Sequence, residues 1–289
     1  MGSSGQQQII NQIVSSSTNP YNFGGLFTVA LSTTIKVLQL ISDSYQTHNT
    51  NYMVASGYLI GLSNLQSTIT IMNVCLSING IQQQVQQFGI IGYAKGNVQL
   101  SQISLTLSLQ STYFLQVGII GLIESSSMLT QVSQVKSTTN LILMGSSSYG
   151  DIGTFGGSVP QQFLIINSVF AYNNNNNNYS TVSSGGISGF MNNCVIKVLN
   201  TVIQNSNIQS QNYCGGLFGT ITSSNIYINS AKISQVHITS ISLSYGIISG
   251  QSIANIYNIQ QSQSISIYFN NNLQTDCLNL INTWSVTQC

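Results

Sequence analysis

A glycine-bearing apolar block returns at near-regular intervals along this chain. It reads GGLFT ending at Thr28, GYLIG at Gly61, FGIIG at Gly92, VGIIG at Gly121, GGISG at Gly189, GGLFG at Gly219 and GIISG at Gly250. The end points lie 33, 31, 29, 68, 30 and 31 residues apart. The long gap is two periods, split into 35 and 33 by a degenerate copy, GTFG at 153–156. A fixed period of this size marks a repeat architecture, in which one unit cannot bury its apolar face alone and must stack on its neighbours. Eight blocks predict about eight coils with a period near 31 residues.

Strand signals fill the space between blocks. Seven and nine residues after the anchor lie Ile35 with Val37, Phe163 with Ile165, Ile196 with Val198, and Ile226 with Ile228; Ile69 with Ile71 and Val98 with Leu100 are slightly shifted partners. Residues at i and i+2 share one face of a strand, so Ile35, Phe163, Ile196 and Ile226 are expected in one inward-facing stack. Three copies then join Asn to a hydroxyl residue, FLIINS at 163–168, VLNT at 198–201 and IYINS at 226–230. A third segment alternates strongly in ISLTLSL at 103–109, and HITSISLS at 237–244, SQSISIYF at 262–269 and STITI at 67–71 have the same character. With only two prolines and no helical period, the chain reads as an all-β solenoid. At ~4.8 Å per strand, eight coils make a rod on the order of 40 Å long. Glycines are expected at corners, for positive φ or for want of a Cβ, and asparagines in turns.

The blocks and the strand that follows them resemble the GLUG-type glycine repeat of adhesin-like surface proteins, a GGLxG block, a polar turn and an apolar strand ending in Asn-Ser. The nearest stretches are CGGLFGTITSSNIYINS at 214–230 and SGGISGFMNNCVIKVLNT at 184–201, and the loose pattern covers most of 21–260. The resemblance implies a single-stranded, right-handed parallel β-helix.

Residues 21–269 are assigned to the repeats, 1–20 to an N-terminal cap or lead and 270–289 to a C-terminal cap or the start of a further segment. Ile9, Ile10, Ile13 and Val14 could form a short helix or a first strand; Trp284 is expected to pack. The start MGSSGQQQIINQIV lacks the basic-then-apolar order of a signal peptide, and MGSSG reads as a tag remnant or an internal start, so the chain is expected to be an excised segment. Residues 145–160, rich in glycine and serine, read as a loop or irregular coil, and the six asparagines between Tyr172 and Tyr179 as a protruding loop. Asn178-Tyr179-Ser180 is the one glycosylation sequon.

Charge narrows the function. Only 3% of residues are charged and none is Arg. The five lysines, Lys36, Lys95, Lys136, Lys197 and Lys232, form no basic stripe, which argues against nucleic acid and against an anionic membrane surface. No apolar run reaches the length of a transmembrane helix. Cys75, Cys194, Cys214, Cys277 and Cys289 contain no C-x-x-C pair, and His48 and His237 lie elsewhere, so no metal site is assigned. The first three cysteines are expected as buried thiols; Cys277 with Cys289 could be a staple. The acids are Asp43, Glu124, Asp151 and Asp276, and Glu124 with Asp151 is the one pair that adjacent coils could bring together for glycoside hydrolysis. With no third acid and no Arg beside them, they read as isolated solvated carboxylates. His237, between Val236 and Ile238, should face outward. The expectation is a non-catalytic structural or adhesive surface module, extracellular, with no catalytic, cofactor or metal residues. Its partners would be glycans or matrix, or further copies through the solenoid ends. Fibre formation is the alternative, a polysaccharide-active enzyme and ice binding the weaker ones.

Overall fold

Alternation lays the chain out as strands. In Asn97–Ser111, Ile103, Leu105 and Leu107 are buried while Ser104 and Thr106 face solvent, the period-two pattern of a strand with one wet face. The computed structural model describes residues 13–15, 22–24, 27–30, 33–47, 53–63, 67–82, 85–111, 116–124, 129–143, 149–158, 160–176, 181–241, 244–269 and 272–273. These are all-β, and their parallel strands form a β-solenoid whose period of about 31 residues holds over about five turns.

Two ladders face each other across the core. One joins Thr68–Gln82, Asn97–Ser111 and Leu129–Leu143, then continues as two arms. The first arm is Gln162–Ile166, Val195–Leu199, Asn225–Asn229 and Ile256–Gln260; the second is Val169–Asn176, Val202–Ser210, Lys232–Ser240 and Gln263–Phe269. The opposite ladder carries the glycine blocks, among them Met53–Ser63, Val85–Ala94, Ile120–Ile123, Tyr149–Ser158 and Thr181–Asn192. Among the described pairings only Asn272–Leu273, on Gln263–Phe269, is antiparallel. Phe155 ties the layers together. Its ring meets Phe163 edge-on at 5.4 Å and Phe170 at 6.0 Å, one on each arm, and all three are fully buried.

Phe163 pairs with Ile196 and Ile196 with Ile226, each fully buried, as the repeat predicts. Ile35 is not in that stack. It pairs with Ile71, in the column of Leu100, Val132, Ile165, Val198 and Ile228, two residues further along the strand. The turn after the block varies in length: the Phe163 column is reached seven residues after Gly156, Gly189 and Gly219, but nine after Gly121, at Thr130, and six after Gly92, at Val98.

Left-handed backbone and glycine are separate devices. Asn73, Gln102, Gln134, Asn167, Asn200, Ser230 and Gln261 occupy equivalent places on successive strands, with φ between 48° and 54°. The glycines of the blocks instead allow close approach. A Cβ on Gly57 would fall on the carbonyl oxygen of Ile60 and one on Gly215 on that of Phe218, and none of the glycines so described is left-handed. Where the block doubles back, one carbonyl serves two donors: Leu217 O accepts from Ile187 N at 2.7 Å and Ser188 N at 3.2 Å, and Ile119 O accepts from Ile90 N at 2.8 Å and Ile91 N at 3.2 Å.

Three local expectations are corrected. Tyr149–Ser158 is a strand, not a loop, because its glycines are what the doubled-back block requires. The asparagine tract begins as strand, Val169–Asn176. Asn174 is fully buried there, donating to Gln209 O at 2.6 Å and accepting from Gln209 N at 2.7 Å. In 237–244 the in–out alternation runs on through Ser240, which is buried and donates to Asn212 O at 2.9 Å, so that Ile241 falls on the exposed side. Ile13–Ser15 is a strand pairing with Tyr45–Thr47. The rest of 1–20, Trp284, the sequon, and all of 270–289 except Asn272 and Leu273 lie outside the described residues.

Candidate functional site

The two acids weighed for catalysis stand in different columns with different partners. Asp151 pairs in register with Gln116 on one side and Ser183 on the other. These positions, with Gln87, lie two residues before the first glycine of each block, so stacking brings them into one column. Gln87 Nε2 donates to Gln116 Oε1 at 3.4 Å, and the Gln116 side chain hydrogen-bonds the Asp151 carboxyl. Ser183 Oγ donates to Gly189 O at 2.6 Å and lies 3.0 Å from Thr220 Oγ1. These side chains fill notches left by glycines of the next coil. A Cβ on Gly157 would come 3.1 Å from Gln116 Nε2, and one on Gly219 would strike Ser183 Oγ. Burial raises the Asp151 carboxyl to about 6, with the Gln116 hydrogen bond opposing, because a low-dielectric setting disfavours the charged form. Asp151 is therefore not the solvated carboxylate its sequence context suggests.

Glu124 lies past the end of Ile120–Ile123, its N–H donating to Ala94 O at 2.9 Å. The Tyr93 hydroxyl bonds its side chain, and Lys95 Nζ sits 5.3 Å from the centre of the Tyr93 ring. Burial first, then the Glu124 charge and hydrogen bond, push Tyr93 up to about 12. Gln116 thus bonds Asp151 and Tyr93 bonds Glu124, each in its own column.

His237 faces outward as expected and stacks on Tyr268, rings 4.2 Å apart and 3° from parallel. His48, Asp276, Cys277 and Cys289 are outside the described residues. Cys194 and Cys214 are buried thiols, and burial pushes them up to about 11 and about 12. Cys75 is exposed, contrary to expectation. It falls between inward Val74 and Leu76, so alternation turns it outward. Among the described residues no three of His, Cys, Asp and Glu gather where a metal could be held, and no helix there is long and apolar enough to cross a membrane.

The outer face is the remaining candidate. Ser77, Thr106 and Thr138 share one column. Asn79, Ser108, Asn140, Asn173 and Asn207 share another, in which Asn173 Nδ2 donates to Asn140 Oδ1 at 3.1 Å and Asn207 N donates to Asn173 Oδ1 at 2.9 Å. The corner column of Asn and Gln stands beside them, exposed except at Ser230. Neutral hydroxyls and amides repeated once per rung can exchange hydrogen bonds with a polar ligand without attracting a charged one. The Asp151 column escaped sequence reading, although a polar residue two before the first block glycine was its visible signal. No family model, curated protein or solved structure matches this chain.

Proposed function

We propose that this chain is a non-catalytic structural or adhesive module of an extracellular or cell-surface protein. It would be a right-handed parallel β-helix of eight coils, with partners drawn from glycans or matrix. The observation that carries the reading is the outer face, columns of Ser, Thr, Asn and Gln with few charges among them. The eight blocks support the coil count, the right-handed preference of parallel crossovers supports the hand, and the GLUG resemblance supports the surface setting. Glu124 and Asp151 serve as local hydrogen-bonding groups in this reading. A glycan and matrix-protein array tests it: binding that survives the double change Glu124→Gln, Asp151→Asn is expected. A new reducing end or unsaturated product that the double variant fails to make would overturn it.

Self-assembly is the second reading, and a particular edge favours it. Among the described residues Ile256–Gln260 pairs only with Asn225–Asn229; it carries no charge and leaves Ile256 68% exposed with Ile253 at 49%. An uncharged open edge invites another strand. Sedimentation over a range of concentrations separates a fibre-former from a monomeric module.

A further inference from the structure

The residues of the corner column are not those its backbone calls for. Glycine adopts positive φ without cost and asparagine tolerates it, whereas glutamine has no such preference. Yet Gln102, Gln134 and Gln261 stand there at φ 54°, 54° and 48°, beside Asn73, Asn167, Asn200 and Ser230. No glycine occupies these seven places in a chain that has 25. Six of the seven carry a primary amide and Ser230 a hydroxyl. The six amides are exposed, spaced ~4.8 Å from rung to rung except across Ser230, and partly aligned by their neighbours. Asn200 Nδ2 donates to Asn167 Oδ1 at 3.2 Å and Ser230 Oγ to Gln261 Oε1 at 3.3 Å. A primary amide has two donors and two acceptor lone pairs, so one such bond leaves most of its capacity facing solvent.

We propose that this ridge, from Asn73 to Gln261, binds an extended neutral polysaccharide lying parallel to the solenoid axis, one sugar per rung. Flat β-linked hexose chains advance ~5 Å per sugar, close to the ~4.8 Å rung spacing. Their hydroxyls match an amide's mixed donors and acceptors, and the column itself carries no charge, exposed Lys136 and Lys232 standing two residues beyond it. The His237–Tyr268 stack is a poorer sugar platform, because its rings lie face to face along the column and spend those faces on each other. The ridge deepens the adhesive reading and rests on it.

Co-sedimentation with insoluble cellulose and chitin tests this, with amylose granules and heparin beads as controls. The wild type should sediment with a β-linked polymer and with neither control. The triple variant Gln134→Gly, Asn167→Gly, Asn200→Gly keeps the left-handed backbone. Its melting temperature should hold or rise, while binding falls about tenfold through lost multivalency. Should the triple variant fold poorly, Gln134→Glu, which keeps size and removes the amide donors, should still weaken retention. Undiminished binding by a folded variant overturns the ridge and leaves adhesion through another face standing. So does a wild type that ignores both β-linked polymers but binds other glycans on the array. A wild type that binds no glycan and no matrix protein overturns ridge and adhesive reading together.

Discussion

The first ladder is built in two ways along its length, although the corner it turns is the same. In the stretch from Thr68 to Leu143 each strand runs 15 residues without a break, and the left-handed Asn73, Gln102 and Gln134 are followed by buried Val74, Ile103 and Val135. From Gln162 onward the strand divides into two arms at Asn167, Asn200, Ser230 and Gln261, followed by Ser168, Thr201, Ala231 and Ser262. The hydroxyls reach back to the carbonyl two residues before: Ser168 to Ile166 O at 2.9 Å, Thr201 to Leu199 O at 3.0 Å and Ser262 to Gln260 O at 2.9 Å. They also accept from the preceding coil, Val135 N to Ser168 Oγ and Ala231 N to Ser262 Oγ, both 3.2 Å. The same device recurs at Ser206 and Ser224, each one residue after a left-handed position. One corner can be closed by an apolar wedge or by a hydroxyl that satisfies backbone groups; hydroxyls follow three of the four dividing corners, Ala231 follows the fourth, and Ser206 uses the same bond within the unbroken Val202–Ser210.

The largest effect should come from cutting the joint between the two regions. Phe155 lies beside Phe163 and Phe170, where the arms begin. Phe155→Ala removes a fully buried ring and should cost about 3–5 kcal/mol. Because solenoid coils interact mainly with neighbours, unfolding should also split into two transitions in calorimetry. A single transition with an unchanged midpoint would show that the regions are not coupled through this cluster.

Asp151 gives the next largest effect, and it is a matter of pH. Its folded value of about 6 lies above the ordinary carboxylate value of 3.8, so the folded state holds the proton more tightly than the unfolded chain. Stability from this group is full below pH ~4 and is lost as pH rises through about 6. Acidifying from pH 7 to 4 should therefore raise the contribution by about 2–3 kcal/mol. Asp151→Asn should abolish that rise and melt higher than wild type at pH 7. A variant with the same pH profile as wild type would assign the effect elsewhere.

Exchanging the closures tests the comparison itself at a smaller scale. Ser168→Val leaves Val135 N and Ile166 O without their side-chain partner, a loss of about 1–3 kcal/mol for buried groups. Hydrogen exchange at Val135 should quicken by the corresponding factor. The reverse change, Val135→Ser, should cost less than the Ser168 change, since a serine there could adopt the same bridging role. Equal penalties would mean that packing alone seals both kinds of corner.

Much of this was readable beforehand, and the failures have physical causes. The period and the Phe163–Ile196–Ile226 stack follow from block spacing, because stacking repeats must keep register over each rung. Block spacing alone puts Ile35 one column off, because turn length after the block is free to vary while strand register is not. Glycine and serine in 149–158 and asparagine in 173–176 signal loops by composition, yet here they meet needs set by the neighbouring coil. Gly153 passes beside Gly185 and Phe155 backbone, and Asn174 pairs with Gln209 thirty-five residues on. Single-residue preferences cannot report a demand that arises one rung away. The Asp151 column was partly legible, since Gln87, Gln116, Asp151 and Ser183 all precede the first block glycine by two residues.

The smallest effect separates the two regions by chemistry rather than stability. Cys75 lies outward in the unbroken stretch, while Cys194 and Cys214 lie buried in the divided one. The thiolate is the reactive form, and burial holds Cys194 and Cys214 at about 11 and about 12, far from ionisation at pH 8. Cys194 Sγ also lies 3.5 Å from Ser224 Oγ, and Cys214 donates to Ile208 O at 3.2 Å. Brief alkylation at pH 8, mapped by peptide mass spectrometry, should therefore label Cys75 and leave the other two unmodified. They should react only after the divided region opens, so their labelling rate measures its local stability. Phe155→Ala should speed it, whereas Cys75→Ser should change neither that rate nor the melting temperature. Prompt labelling of Cys214 in the intact wild type would show that the divided region opens easily, and the contrast between the two stretches would then be one of dynamics as well as of sequence.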